Sequence, residues 1–131
     1  MALVTHQGQC HCGVVRFEFD EEAHLVAWDC DCSICSMKRN TRIIIPASRF
    51  RLLQGQDALS CYQFGTKTAQ HLFCKTCGIC PFYRPRSKPD GYAVTLHCIT
   101  SPTVAGMEVK QIGGSEWEAA MAASGTDGSV R

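Results

Sequence analysis

The spacing of cysteine constrains this chain more than any other feature. Ten cysteines occur in 131 residues, and seven of them fall into three tight groups: Cys10-His11-Cys12, Cys30-Asp31-Cys32-Ser33-Ile34-Cys35 and Cys74-Lys75-Thr76-Cys77. C-x-C and C-x-x-C spacing lets two thiolates reach one metal ion, and metal ligation accounts for these groups better than a disulfide framework.

Zinc in a structural site takes four protein ligands in a tetrahedron, whereas a catalytic zinc keeps three and leaves the fourth position open. Seven clustered thiols divide into four and three. The outer pairs, Cys10 and Cys12 with Cys74 and Cys77, suit the closed site, because they tie the start of the chain to its middle across a loop of about sixty residues and so contribute folding free energy. Cys30, Cys32 and Cys35 then form an open, catalytic site with Asp29 and Asp31 beside it. The competing reading is a second structural zinc, completed by Cys80, Cys98, His97 or Asp31. Two zinc ions per chain are expected on either reading.

Composition narrows the rest. A formal charge of +1 gives no overall electrostatic reason to expect nucleic acid or an anionic membrane as partner. Met1 to Val4 is too short for the apolar region of a secretory leader, and no stretch approaches the roughly eighteen apolar residues of a membrane span. An intracellular protein, cytoplasmic or nuclear, is expected. The length suits one domain, placed at residues 4–124, with 125–131 as a flexible tail.

Most periodic segments read as strands. Val15, Phe17 and Phe19 alternate with Arg16, Glu18 and Asp20, the pattern of a half-buried strand. His24 to Trp28 forms a second strand that delivers Cys30, and Ser33 to Met37 forms a helical turn. Ile43-Ile44-Ile45 before Pro46 is a short buried strand, because β-branched side chains fit a pleated core. Leu59 to Phe64 and Ala69 to Phe73 form a hairpin around residues 65–68, with Cys61 in its core, and run into the Cys74 turn, where Gly78 supplies a positive φ. Pro81 to Tyr83 and Tyr92 to Ile99 complete the strands. Ser115-Glu116-Trp117-Glu118 is a capping box that opens one short C-terminal helix, continued by Ala119 to Ala123.

His6-Gln7-Gly8 leading into Cys10-His11-Cys12-Gly13, the Asp29 to Cys35 cluster, Ile45-Pro46-Ala47-Ser48-Arg49-Phe50, Gln70 to Gly78, Phe82 to Ser87 and Gly114 to Glu118 together resemble the glutathione-dependent formaldehyde-activating enzyme family, and within it the centromere protein V group. The resemblance implies a mainly β, Mss4-like fold of small coiled antiparallel sheets around a structural zinc, with a second zinc at Cys30, Cys32 and Cys35. It also implies a carbon-sulfur lyase of the S-(hydroxymethyl)glutathione synthase kind, whose partners are a small thiol such as glutathione and a small aldehyde. In such a site a thiol that displaces zinc-bound water becomes a thiolate and adds to formaldehyde. Three thiolates leave the zinc with one negative charge too many, which loop N–H groups, Ser33 or Lys38 are expected to offset. The alternative is a non-catalytic two-zinc module acting in protein or chromatin contacts.

Overall fold

The computed structural model describes residues 2–31, 33–64, 69–85 and 90–112. Among them run β1 (Val4–Gln9), β2 (Arg16–Glu21), β3 (His24–Cys30), the short helix α1 (Ser33–Lys38), β4 (Arg42–Pro46), β5 (Phe50–Gln54), β6 (Leu59–Tyr62), β7 (Gln70–Cys74), β8 (Phe82–Arg84), β9 (Gly91–Thr95) and β10 (Gly106–Ile112). They form two sheets, one of three strands in the order β1-β2-β5 and one of seven in the order β10-β3-β4-β9-β8-β7-β6. Neighbouring strands are antiparallel except β10, which lies parallel to β3. The predicted C-terminal helix, the tail and the 65–68 loop lie outside the described residues.

The sheets meet in an aromatic core. The inward side chains of β2 and β5, Phe17, Phe19 and Phe50, face Phe82 and Tyr92 of the larger sheet, with Phe50 and Tyr92 stacked at 4.1 Å and Phe50 edge-on to Phe82 at 4.8 Å. Ring pairs in these geometries add to the stabilisation from buried area alone. Ile43, Ile45 and Val94 join the same core.

Three strands escaped the sequence pattern. In β1 the buried positions are His6 and Gly8, which carry no apolar signal. In β5 only Phe50 is fully buried, and in β10 Met107 and Val109 point to solvent at a sheet edge. Two readings need correction. The segment from Tyr92 to Ile99 is a strand only as far as Thr95, after which Leu96–Cys98 turn as a 3-10 helix and the Leu96 N–H donates to Thr41 O at 2.8 Å. Cys61 is exposed rather than core, because β6 is the edge strand of its sheet. Among the described residues no helix is long and apolar enough to cross a membrane.

One consequence of the seven-stranded sheet positions the chemistry. Its inward face carries Ile43, Ile45, Phe82 and Val94, so strand parity and register put Arg42, Thr95, Ala93, Tyr83 and His71 together on the opposite face. Trp28 pairs with Arg42, which brings Cys30, two residues further along β3, to that face as well. α1 follows β3 directly and supplies Cys35 and Lys38 there.

Candidate metal centre

Two turns of similar construction bring four thiols together. After β1, the Gly13 N–H donates to Cys10 O at 3.1 Å, the Cys10 N–H donates to Val15 O at 3.1 Å, and the Val15 N–H is aimed at Cys10 Sγ at 3.4 Å. After β7, the Gly78 N–H donates to Cys74 O at 2.8 Å, and the Thr76 and Cys77 N–H groups reach Cys74 Sγ at 3.4 and 3.5 Å. Gly13 and Gly78 both adopt positive φ, at 81° and 76°. A Cβ on Gly78 would meet nothing within 4 Å, so conformation and not space requires glycine there.

The Sγ atoms of Cys10, Cys12, Cys74 and Cys77 all lie within 4.8 Å of one another, with Cys10–Cys12 and Cys12–Cys74 at 3.6 Å. Zn–S bonds of about 2.3 Å in a tetrahedron place sulfurs about 3.8 Å apart, so the cluster is compatible with zinc almost as it stands. Cys10 and Cys74 are buried and Cys12 is exposed. The Cys77 and Thr76 N–H groups hold the Cys74 thiol below its ordinary value. Burial pushes Cys77 up, but N–H groups of Cys12 and Ile79 outweigh it and leave that thiol at about 6. On Cys12 the Val14 N–H pulls downward, and burial together with the other three thiols overcomes it, to about 11. Four sulfurs this close cannot all ionise without a cation among them.

The second group is arranged differently. Cys30 ends β3 and Cys35 lies on α1; both are buried and line a cavity of ≈ 220 Å³ with Asp29, Asp31 and Asn40, while Cys32 lies outside the described residues. Asp29 accepts a hydrogen bond from the Thr41 hydroxyl, which fits a carboxylate that shapes the loop. Asn40 is buried, and neither Oδ1 nor Nδ2 has a hydrogen-bond partner. A cleft of ≈ 540 Å³, shared at Arg39 and Asn40, runs from this cavity past Lys38, Cys80 and His97 to Cys10. Arg39 holds a left-handed φ of 55°, a conformation that costs a non-glycine residue energy.

Below α1 lies a polar layer that the sequence did not announce. Arg42 is fully buried, its Nη1 donates to Cys35 Sγ at 3.9 Å, and Tyr83 Oη is also 3.9 Å from that sulfur. Burial opposes the Arg42 charge, and Tyr83, Cys35 and Cys30 more than offset that, raising its pKa. Lys38, one of the groups expected to offset the zinc's excess negative charge, places Nζ 3.1 Å from His71 Nδ1 and 4.2 Å from the centre of the Tyr83 ring. Burial and Lys38 push His71 down to about 3, so its ring is neutral and Nδ1 accepts from the ammonium. The only sequence signal for Arg42 was a charge at the head of an isoleucine run, which reads equally as a solvated strand end.

The other thiols, histidines and basic side chains of these segments have their own surroundings. Cys80 is pushed up by burial, and its thiol donates to Phe82 O at 3.5 Å. Cys98 is pushed up by burial to about 12. His11 and His97 are exposed, and His71 turns away from Cys74 toward Tyr83, stacking on it at 5.1 Å. Arg84 donates to the Tyr92 hydroxyl and lies over that ring, while Arg86 and Lys88 lie outside the described residues.

Comparison with known proteins agrees with this geometry. The chain is similar to a Rhodobacter sphaeroides protein of known crystal structure, at 37% identity over 81% of this chain and 99% of that one, with a TM-score of 0.69. Residues 5–112, which run from β1 through both cysteine turns to the end of β10, match the model of one protein family. With its mainly β Mss4-like fold and its four-thiol cluster, the chain belongs to the family of the glutathione-dependent formaldehyde-activating enzyme.

Proposed function

We propose that the chain is a zinc-dependent carbon-sulfur lyase that joins glutathione to formaldehyde, giving S-(hydroxymethyl)glutathione. In the reaction the thiol gives up its proton, sulfur bonds to the aldehyde carbon, and the carbonyl π pair moves to oxygen, which takes a proton. Cys10, Cys12, Cys74 and Cys77 hold a structural zinc; Cys30, Cys32 and Cys35 hold a second. The observation that carries this reading is that Cys30 and Cys35 sit apart from the four-thiol cluster, buried at the wall of a cavity with room for a ligand. An unpartnered Asn40 amide in that wall fits a site incomplete without an occupant.

Zinc at the second site supplies the positive charge that lets an incoming thiol ionise near neutral pH. The protein supplies position. β3 and α1 fix Cys30 and Cys35, Asp29 braces the loop through Thr41, and the cleft past Arg39 leaves the thiol's peptide portion a path to solvent. Neutral His71 and the Lys38 ammonium form a fixed pair beside Tyr83, whose hydroxyl lies 3.9 Å from Cys35 Sγ.

The test is ligand exchange, because formaldehyde adds to free thiols unaided and a modest rate increase proves little. Zinc content and X-ray absorption are compared for wild type and Cys35→Ser with and without glutathione. The proposal expects two zinc ions in wild type, one added sulfur on glutathione binding, and weak binding of S-methylglutathione. If every zinc already carries four protein sulfurs and glutathione changes nothing, the protein is a non-catalytic zinc module.

A further inference from the structure

We propose that Arg42 is the buried counter-charge of the Cys30 and Cys35 thiols, a positioning residue that offsets the excess negative charge of a zinc site built on them. The inference rests on the assignment of a second zinc made above. Three thiolates and one zinc ion sum to a single negative charge, and a guanidinium cancels it. Arg39 also lines the cavity but is exposed, whereas Arg42 is a buried cation in place to do so: it is 0% exposed, and its Nη1 lies 3.9 Å from Cys35 Sγ.

Its surroundings explain little else. The ion pairs among the described residues join Arg49 to Glu21 and Arg51 to Glu18 and Asp20, and none includes Arg42. Its Nε and Nη2 have no hydrogen-bond partner. A buried cation with no carboxylate opposite it is costly unless another anion compensates, and Cys35 Sγ, 3.9 Å from Nη1, is an anion-forming atom within its reach, with the Tyr83 phenol and Cys30 also acting on its charge. The guanidinium carbon also lies 6.0 Å from the centre of the Tyr83 ring, whose face favours a cation. Lys38, the other basic side chain in this layer, is committed to His71.

Arginine suits the task better than lysine. It keeps its charge when buried, and its fork offers several N–H groups to sulfurs on two different elements, β3 and α1. The same charge would favour a thiolate as the fourth ligand, since without Arg42 a fourth thiolate would meet an already anionic site.

The experiment uses the full chain in two arms. In the first, Arg42→Gln and Arg42→Lys are compared with wild type for zinc per chain and for retention of the more weakly held zinc against a chelator, with cobalt-substituted spectra counting thiolate ligands. Arg42→Gln should keep the four-cysteine metal and hold the second at least tenfold more weakly, and Arg42→Lys should recover part of that loss. Unchanged retention in Arg42→Gln, or equal loss in both variants, overturns the proposal. The second arm needs no second metal and remains decisive if Arg42→Gln does not fold: Cys30→Ser with Cys35→Ser should lower the melting temperature by stranding Arg42, and adding Arg42→Met should recover it. A further fall on adding Arg42→Met overturns the counter-charge. If wild type binds only one zinc but this recovery is seen, the functional proposal fails while the pairing of Arg42 with the thiols stands.

Discussion

His6 and Gly8, two residues of the first strand, show what a single position carries. His6 is fully buried with both ring nitrogens in use: Nε2–H donates to Glu22 O at 2.9 Å, so Nδ1 accepts from the Thr103 hydroxyl at 2.6 Å. Gly8 lies where β1 bridges to Ile99, and a Cβ there would come within 2.4 Å of Phe17 Cζ and 2.5 Å of Cys98 O. Neither neighbour has room to move, since Phe17 is locked among Phe19, Phe50 and Phe82 and the other atom is backbone. Gly8→Ala should therefore destabilise the fold by about 1–3 kcal/mol, the usual cost of overpacking a filled core, read as a lower urea midpoint at an unchanged slope. On the solvent side of the same sheet, Arg51 donates to Asp20 at 2.9 Å and holds that carboxyl down to about 2, helped by Thr5. Because that pair is still partly open to solvent, Arg51→Ala should shift the melting temperature by much less than Gly8→Ala, and its effect should shrink further at high salt.

At the scale of elements, the two cysteine turns join the ends of β1 and β7, strands that belong to different sheets. A metal held there ties the sheets together, whereas Cys30 and Cys35 lie on β3 and the helix that follows it directly. Unequal roles follow. On the proposed two-zinc assignment, Cys74→Ser should lower the melting temperature sharply and remove one zinc, while Cys35→Ser should remove a second zinc at a smaller loss of stability. Equal losses in the two variants would end the distinction between a structural and a catalytic ion. Chelating metal from wild type should reproduce the larger effect, since binding free energy at a site that joins distant segments is also folding free energy.

For the whole molecule, pH separates the polar layer from the four-thiol cluster. His71 sits at about 3 in the folded protein against 6.5 for an unperturbed histidine, so the unfolded chain takes up the proton first. Its contribution is intact above pH 6.5 and is lost as the pH falls through the window below that value toward 3. His71→Phe keeps the stack on Tyr83 without the titration, so its melting temperature should fall less than that of wild type between pH 7 and pH 4.5. Acid loss of zinc is common to both proteins, and parallel curves would show that His71 is not held neutral. By itself the sequence determined the parts whose signal is local: cysteine spacing, the glycine after Cys77, the alternation of β2 and the isoleucine run of β4. Hence a mainly β chain with a four-thiol cluster was legible before any coordinates. Only the tertiary structure decided that β1 and β10 are strands, that Cys61 is exposed and that Arg42, Tyr83, His71 and Lys38 form one layer against Cys35. Those facts depend on which strand lies beside which, and a sheet ordered β10-β3-β4-β9-β8-β7-β6 joins residues far apart in the chain, whose burial and charge balance no local pattern records.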